Sequence, residues 1–214
     1  MTSLPDVEFV VRSIAQTAVD NEKYFGDLDS VVGDGDFGYS LARGFEIVLA
    51  DWDGYDRTEI ATFLQKVAMA ITGRIGGTSG PIWGTAFLRA ASVAKGKDDL
   101  TGDDVVAMLR ASIEGIKARG NADVGDKTLL DALVPATDAI EAGVAAGQTP
   151  VEIVAVAATT ARQAADATTP MIAKRGRASY TGERSIGSPD AGAVAVAVIL
   201  EALASSWREK EEAK

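Results

Sequence analysis

The stretch that decides the fold class is GAVAVAVIL at residues 192–200, which continues as EALASSW at 201–207. Its first half alternates small and large apolar residues with the period of a β-strand. Its alanine content and the residues that follow favour a buried helix instead, because alanine has the strongest intrinsic preference for the helix. We therefore predict a helix over 190–208.

The rest of the chain favours the same fold class. Segments rich in Ala, Leu and Val, with a 3.6-residue periodicity, are separated by Gly or Pro clusters, and no β–α–β alternation or internal repeat is visible. Thr101 before Asp103, and Thr149 before Pro150, are typical of helix N-termini. These patterns predict an all-α protein, a single domain over 1–214. The eight predicted helices lie near 5–24, 38–50, 56–73, 79–95, 101–119, 128–146, 149–173 and 190–208.

The composition excludes several functions. The formal net charge is −10, so nucleic acid is not an expected partner, because its phosphates require clustered Lys and Arg. The chain has no His and no Cys, which excludes an imidazole base, a cysteine nucleophile and a thiolate metal site. The sequence shows neither a signal-peptide pattern nor a membrane-spanning run, so we expect no membrane association and a cytoplasmic location.

An acidic, glycine-rich stretch, DLDSVVGDGDFG at 27–38, carries the strongest functional signal. It places Asp29, Asp34 and Asp36 within eight residues of sequence. Carboxylates that close together repel one another and require a cation or free water between them. Aspartate is also common in turns and helix caps, and this is the expected role of Asp27. Three aspartates with interleaved glycines favour a site for Mg2+ or Ca2+.

Three familiar binding motifs do not fit this stretch. GDGDFG at 33–38 matches the dinucleotide fingerprint literally, but no clear strand precedes it and its aspartates would repel a pyrophosphate. An EF-hand loop that starts at Asp34 would have Tyr39 where glycine is needed and Phe45 where glutamate is needed. The sequence contains no GxxxxGK[ST] motif, so a P-loop is excluded.

Two further glycine-rich segments have the composition of phosphate-binding loops. GGTSGP at 76–81 is either a simple connection or a turn whose amides and hydroxyls bind phosphate at the start of a helix. The segment 174–192 is long and irregular for a compact domain, which is typical of functional loops. Its Arg177 and Arg184 could bind phosphate through a planar guanidinium.

In this order and spacing, the motifs resemble those of the DhaL or Dak2 family, the nucleotide-binding L subunits of dihydroxyacetone kinases. They span nearly the whole chain. The segments that carry the resemblance are the aspartate stretch 29–38 with ARG at 42–44, GGTSGP at 76–81, RG at 119–120, GDKT at 125–128 and KRGRASYTGERSIGSPDAGA at 174–193.

The resemblance implies a closed barrel of eight antiparallel amphipathic helices, with the nucleotide held in the loops at one end. It implies that Asp29, Asp34 and Asp36 bind two Mg2+ ions that bridge the phosphates of ATP or ADP, and that Arg177 lies near those phosphates. The implied nucleotide contacts are Phe37, Gly38, Tyr39, Ser40, Leu41, Gly77, Thr78, Ser79, Gly120, Leu129, Asp190 and Gly192. Phe37 stands where family members often carry His, Cys or Thr, so a polar contact is lost there or replaced by packing.

The implied activity is half of a kinase. In the family, the ketose binds covalently to a histidine of a separate DhaK-type subunit, and the present chain has no histidine. We therefore expect a phosphoryl-donor subunit that uses Mg-ATP, with dihydroxyacetone as the default acceptor. The GDGD and ARG segments favour exchange of free ATP. The alternatives are a tightly held ADP that a DhaM-type phosphotransferase protein rephosphorylates, a nucleotide-loaded regulatory module and a lipid-carrying barrel, and a homodimer stays open.

Overall fold

The computed structural model describes residues 1–74 and 79–213. Within those residues the protein has nine α-helices, two 3₁₀ segments and no β-strand apart from one isolated bridge between Thr2 and Leu100. The all-α prediction is confirmed. The α-helices are α1 (Leu4–Asp20), α2 (Glu22–Ser30), α3 (Phe37–Ala50), α4 (Ile60–Arg74), α5 (Ser79–Ala94), α6 (Gly102–Gly120), α7 (Leu130–Ala145), α8 (Pro150–Ala167) and α9 (Ala191–Glu212), and the 3₁₀ segments are Trp52–Gly54 and Arg177–Ser185.

The stretch at 192–207 forms α9, as its alanine content predicts. Five consecutive residues, 193–197, are buried, which is expected of a helix that is apolar all round. α9 packs against α8 and α7. Among the described residues, α9 is the one helix long and apolar enough to span a membrane, and the apolar residues that it buries against its neighbours are those of a core helix.

The prediction of one helix over 5–24 is wrong, because the chain forms two helices there. α1 ends at Asp20, and Asn21 leaves the helical conformation while its side-chain amide donates to the carbonyl of Thr17 at 2.9 Å. α2 begins at Glu22, so Asp29 is the penultimate residue of a helix and not part of a turn. In α2 only Phe25 is buried, so the segment lacks the apolar periodicity that identifies a helix in sequence.

Other predicted boundaries shift by a few residues. α4 begins at Ile60 and not at 56, and α8 ends at Ala167 and not at 173. Thr101 and Thr149 do cap α6 and α8, with both hydrogen bonds of a capping box present. The count of eight α-helices is therefore one too low over the described residues, whereas closure into a barrel stays a prediction.

Contacts divide the chain into two compact units, which we treat one at a time. Unit A comprises Met1–Glu22 and Tyr39–Ala122, and unit B comprises Lys23–Gly38 and Asp123–Lys214. The single domain over 1–214 stays a prediction.

The core of unit A centres on the packing of α4, α5 and α6. Gly84 of α5 lets that helix approach α4, because a Cβ atom at this position would overlap the Thr72 hydroxyl. Phe45 is fully buried, with the ring of Trp83 at 6.1 Å between centroids. In unit B, α8 packs between α7 and α9, and Arg162 of α8 forms a two-pronged ion pair with Glu201 of α9.

Candidate magnesium and nucleotide site

Asp29, Asp34 and Asp36 come together in unit B, between the end of α2 and the start of α3. Each offers one carboxylate oxygen, and these three oxygens lie within 4.8 Å of one another. Asp29 is partly buried, and the other two aspartates are exposed. Three carboxylate oxygens at this spacing suit a hard divalent cation such as Mg2+. We refer to these three residues as the acidic cluster.

The loop between α2 and α3 is organised by Asp29. Its Oδ2 atom accepts hydrogen bonds from the backbone N–H groups of Gly35, at 2.9 Å, and Phe37, at 3.4 Å. Its carbonyl oxygen accepts from the backbone N–H of Gly33 at 2.6 Å. Gly35 has a φ of +77°, a conformation that other residues rarely adopt. Asp29 therefore shapes the loop that carries the other two aspartates.

Arg177 lies against the acidic cluster. Its Nη1 atom donates to Asp36 Oδ2 at 3.0 Å and also contacts the carboxylate of Asp34. The Arg177 side chain is 58 % exposed, so it is accessible to a ligand as well. One guanidinium against three carboxylates leaves a formal charge of −2, which a divalent cation would offset.

Phe37 and Gly38 follow the cluster directly and belong to unit B. The ring of Phe37 packs against the buried ring of Phe25, with 6.2 Å between centroids. The Phe37 side chain is thus used for packing, and its backbone N–H is used to bind Asp29. Gly38 is buried.

The remaining residues predicted for the first half of α3 belong to unit A. Tyr39 is exposed, Ser40 is partly exposed and Leu41 is fully buried. The Leu41 side chain is therefore a core residue of unit A. Ser79 opens α5 and Gly120 closes α6, both also in unit A. Gly77 and Thr78 lie outside the described residues.

Leu129, Asp190 and Gly192 meet in unit B at the start of α9. A Cβ atom on Gly192 would lie 3.1 Å from Asp190 Oδ2 and 3.3 Å from Leu129 Cβ. Asp190 caps α9, since its Oδ2 atom accepts from the backbone N–H of Ala193 at 2.7 Å. The structure thus brings together these three residues of the implied base and ribose side.

Burial raises the pKa of Asp190 to about 7. The residue retains some surface exposure, but protein atoms surround its carboxylate, and this desolvation outweighs the other effects. Hydrogen bonds from Ala193 and Gly192 and the positive charge of Lys127 act in the opposite direction, and the nearby Asp131 adds to the increase in the pKa.

Sequence reasoning missed Lys127, which lies in the GDKT segment. Its side chain is buried, and its ammonium group donates to three backbone carbonyls. Asp131 was missed as well, although it accepts from the backbone N–H groups of Gly125, at 2.6 Å, and Thr128, at 2.7 Å. A charged residue inside a short polar segment next to a helix start was the available signal for both.

Residues 31–205 of the chain match the family described as the DAK2 domain. The chain is 35 % identical over 187 residues to the "PEP-dependent dihydroxyacetone kinase, ADP-binding subunit DhaL" of Escherichia coli (strain K12), covering 87 % of this chain and 89 % of that subunit. It is 37 % identical over 196 residues to the L-erythrulose 1-kinase of Mycolicibacterium smegmatis, covering 91 % of this chain but 34 % of that enzyme.

The fold is likewise similar to a solved structure. The crystal structure of the dihydroxyacetone kinase from C. freundii in complex with AMP-PNP and Mg2+ superposes with a TM-score of 0.73 and 26 % sequence identity. The match covers 94 % of this chain and 33 % of that one.

An all-α protein with this acidic cluster falls among the kinase subunits of the dihydroxyacetone and ketose kinases. The chain belongs to the DhaL/Dak2 family. It spans nearly the full length of the separate L subunit but about one third of the single-chain kinases.

Proposed function

We propose that this chain is the phosphoryl-donor subunit of a ketose kinase. It would hold an Mg2+-bound nucleotide for transfer to a ketose, dihydroxyacetone in the first instance, on a separate DhaK-type subunit. The observation that carries the proposal is the acidic cluster, three carboxylate oxygens within 4.8 Å of one another beside Arg177. A cytoplasmic location belongs to the same proposal.

The donor set fits the metal. Asp29, Asp34 and Asp36 would hold two Mg2+ ions, which supply positive charge against the nucleotide phosphates. Asp29 is the rigid member, because its carboxylate is tied to the loop backbone. Asp34 and Asp36 are exposed and can change partners when a ligand arrives. Arg177 would then add positive charge beside the phosphates.

The nucleotide base and ribose would lie near Leu129, Asp190 and Gly192. The missing Cβ of Gly192 keeps the space against Leu129 open to within ordinary contact distances. With Ser79, Gly77 and Thr78, these positions form the nucleotide contacts of the proposal.

The acceptor hydroxyl has to be activated elsewhere. The chain has no histidine, which is the usual general base and the residue to which the family's ketose is attached. In phosphoryl transfer the protein mainly positions the reactants and stabilises charge. The acid and base groups are therefore assigned to the DhaK-type partner, and the present chain is active only with it.

The source of the phosphoryl group separates two versions of this function. The sequence favours exchange of free ATP, whereas the relatives favour a retained ADP. The E. coli subunit, matched over most of its length, is described as PEP-dependent and ADP-binding. The L-erythrulose 1-kinase is matched over only a third of its length. We therefore propose a tightly held ADP that a DhaM-type phosphotransferase protein rephosphorylates.

Retention of nucleotide tests this choice. The purified chain is dialysed extensively against Mg2+ buffer and denatured, and the released nucleotide is quantified by chromatography. Stoichiometric ADP supports the retained cofactor, and loss of ADP with rapid rebinding of ATP supports free exchange. A chain that binds neither ADP nor ATP in the presence of Mg2+ contradicts the proposed function.

Reconstitution tests the activity. The chain is mixed with a DhaK-type subunit and dihydroxyacetone, and it receives either ATP or phosphoenolpyruvate with the phosphotransferase proteins. The proposal predicts dihydroxyacetone phosphate in the second mixture, and L-erythrulose is tested as a second acceptor. Nucleotide binding with no transfer from either donor would identify a non-catalytic regulatory module instead.

A further inference from the structure

The side chain of Lys127 is buried without a carboxylate in hydrogen-bond contact among the described residues. Lys127 is 2 % exposed, and its Nζ atom donates to the carbonyl oxygens of Met171 at 3.1 Å, Ser185 at 2.6 Å and Ser188 at 2.7 Å. All three protons of the ammonium group are thereby used. Burial lowers the pKa of Lys127, and the charge of Asp190 acts in the opposite direction.

Holding this lysine in place has a cost in the backbone. Lys127 has a φ of +61°, in the left-handed region that residues with a Cβ atom rarely occupy. The neighbouring turn is fixed by Asp131, which accepts from Thr128 N–H and Gly125 N–H. Strained backbone that the surroundings hold in place is often found at functional sites.

The three acceptors of Lys127 mark the two ends of one loop. Met171 lies at its start, and Ser185 and Ser188 lie at its end, so one ammonium group closes the segment 172–184. The closure is reinforced by Ser185, whose hydroxyl accepts from the backbone N–H of Ala173 at 2.9 Å. Lys174 N–H donates to the carbonyl oxygen of Asp126, next to Lys127 in sequence.

The same loop carries Arg177, whose Nη1 atom contacts Asp34 and Asp36. Its base is held by a second charged contact, between Arg175 Nε and Asp126 Oδ2 at 2.8 Å. Arg177 itself is exposed and belongs to a 3₁₀ segment, so little packing of its own fixes its position. The place of its guanidinium depends on how the loop is tied down.

We infer that Lys127 is a positioning residue, which closes the loop 172–184 and thereby sets Arg177 on the acidic cluster. The inference rests on the proposed function as far as nucleotide affinity is concerned, whereas the ordering of the loop is independent of it. A lysine is suited to this role because its compact ammonium group can point three donors at three converging carbonyls. Removing it leaves three buried carbonyls without their donor.

Hydrogen–deuterium exchange of the ligand-free protein tests the ordering of the loop. In Lys127→Met, we expect backbone amides in 172–186 to exchange at least about tenfold faster, while α7 and α9 keep their protection. The exposed Lys66 of α4 provides the control, since Lys66→Met makes the same chemical change at the surface. Unchanged exchange over 172–186 in a folded Lys127→Met protein overturns the inference.

Nucleotide affinity tests whether Lys127 acts through Arg177. Calorimetry with Mg-ADP compares the wild type, Lys127→Met, Arg177→Met and the double variant. We expect about a tenfold loss for each single variant and no further loss in the double variant, because both remove the same contact. Losses that multiply would show that Lys127 acts by another route and would overturn the inference.

Two outcomes are separated by design. If the wild type binds no Mg-ADP, the proposed function fails, and the exchange measurement still decides the role of Lys127. If Lys127→Met does not unfold cooperatively, Lys127→Arg replaces it. Arginine keeps the charge, but its planar fork cannot converge on three carbonyls, so faster exchange confined to the loop is expected again, and wild-type exchange contradicts the inference.

Discussion

Gly33 lies so close to Asp29 that no side chain fits between them. A Cβ atom on Gly33 would overlap Asp29 Oδ1 and lie 2.9 Å from the Asp29 carbonyl oxygen. The same carbonyl accepts the Gly33 N–H at 2.6 Å. The chain therefore folds back on the last turn of α2, and this reversal brings Asp34 and Asp36 to Asp29.

We predict that Gly33→Ala disrupts the acidic cluster. The added methyl group must displace the Asp29 carboxylate or the α2 backbone, which would cost about 1–3 kcal/mol of unfolding free energy. Mg-ADP affinity should fall at least about tenfold, or ~1.4 kcal/mol. Denaturant unfolding and calorimetry measure the two effects. Gly73→Ala in α4 is the control, because no heavy atom lies within 4 Å of a Cβ there. Wild-type affinity in Gly33→Ala contradicts the prediction.

We predict that Asp34→Asn separates metal binding from stability. Asp34 is exposed and accepts no backbone hydrogen bond among those described, unlike Asp29, so its loss should change the unfolding free energy by less than about 0.5 kcal/mol. Removing one of three anionic ligands should weaken Mg-dependent ADP binding about tenfold or more. Titration of ADP at several Mg2+ concentrations measures this.

The control for Asp34→Asn is Asp27→Asn. Asp27 is an exposed aspartate of α2 that pairs with Lys23 at 2.6 Å. It bears the same charge a few residues away but does not belong to the acidic cluster. Equal losses of affinity in the two variants would indicate a general charge effect and would contradict a metal site at Asp34.

Local sequence carried part of this structure, and long-range contacts carried the rest. The helix at 192–207 was predictable because helix propensity and burial act on neighbouring residues. The acidic cluster was predictable as a group because its members are close in sequence. α2 was not, because burial of Phe25 alone leaves no periodic pattern.

The pairing of distant residues could not be derived from the sequence. Arg177 and Asp36 are 141 residues apart, and Lys127 reaches carbonyls 44 to 61 residues away. The resemblance to the family placed Arg177 near phosphates, but it did not indicate that Arg177 contacts the aspartates. Carbonyl acceptors carry no side-chain signature, so the role of Lys127 could not be predicted from residue types.

We predict that Gly192→Ala reduces nucleotide affinity more than stability. Its Cβ atom would lie 3.1 Å from Asp190 Oδ2 and 3.3 Å from Leu129 Cβ, so these neighbours must move slightly. The gain in helix propensity, up to about 1 kcal/mol, offsets that strain in the unfolding free energy. The space proposed for the base narrows, so Mg-ADP affinity should fall about 3–10-fold, or roughly 1 kcal/mol. Wild-type affinity in calorimetry would remove Gly192 from the proposed nucleotide contacts.

We predict that Asp190→Asn changes how stability depends on pH. Burial raises the pKa of Asp190 to about 7 in the folded protein, whereas an aspartate in the unfolded chain titrates near 3.9. Between these values the folded state binds more protons than the unfolded state, so this group lowers the unfolding free energy as the pH rises toward 7. Asparagine caps a helix equally well but does not titrate.

The difference in unfolding free energy between Asp190→Asn and the wild type should therefore move in favour of the variant by about 2 kcal/mol from pH 5.5 to pH 8, at roughly 1.4 kcal/mol per pH unit below the raised pKa. Denaturant unfolding at several pH values measures it. Asp53→Asn applies the same chemical change at an exposed position and serves as the control. Curves that stay parallel for Asp190→Asn and the wild type would mean that the Asp190 carboxylate is as well solvated in the folded protein as in the unfolded chain.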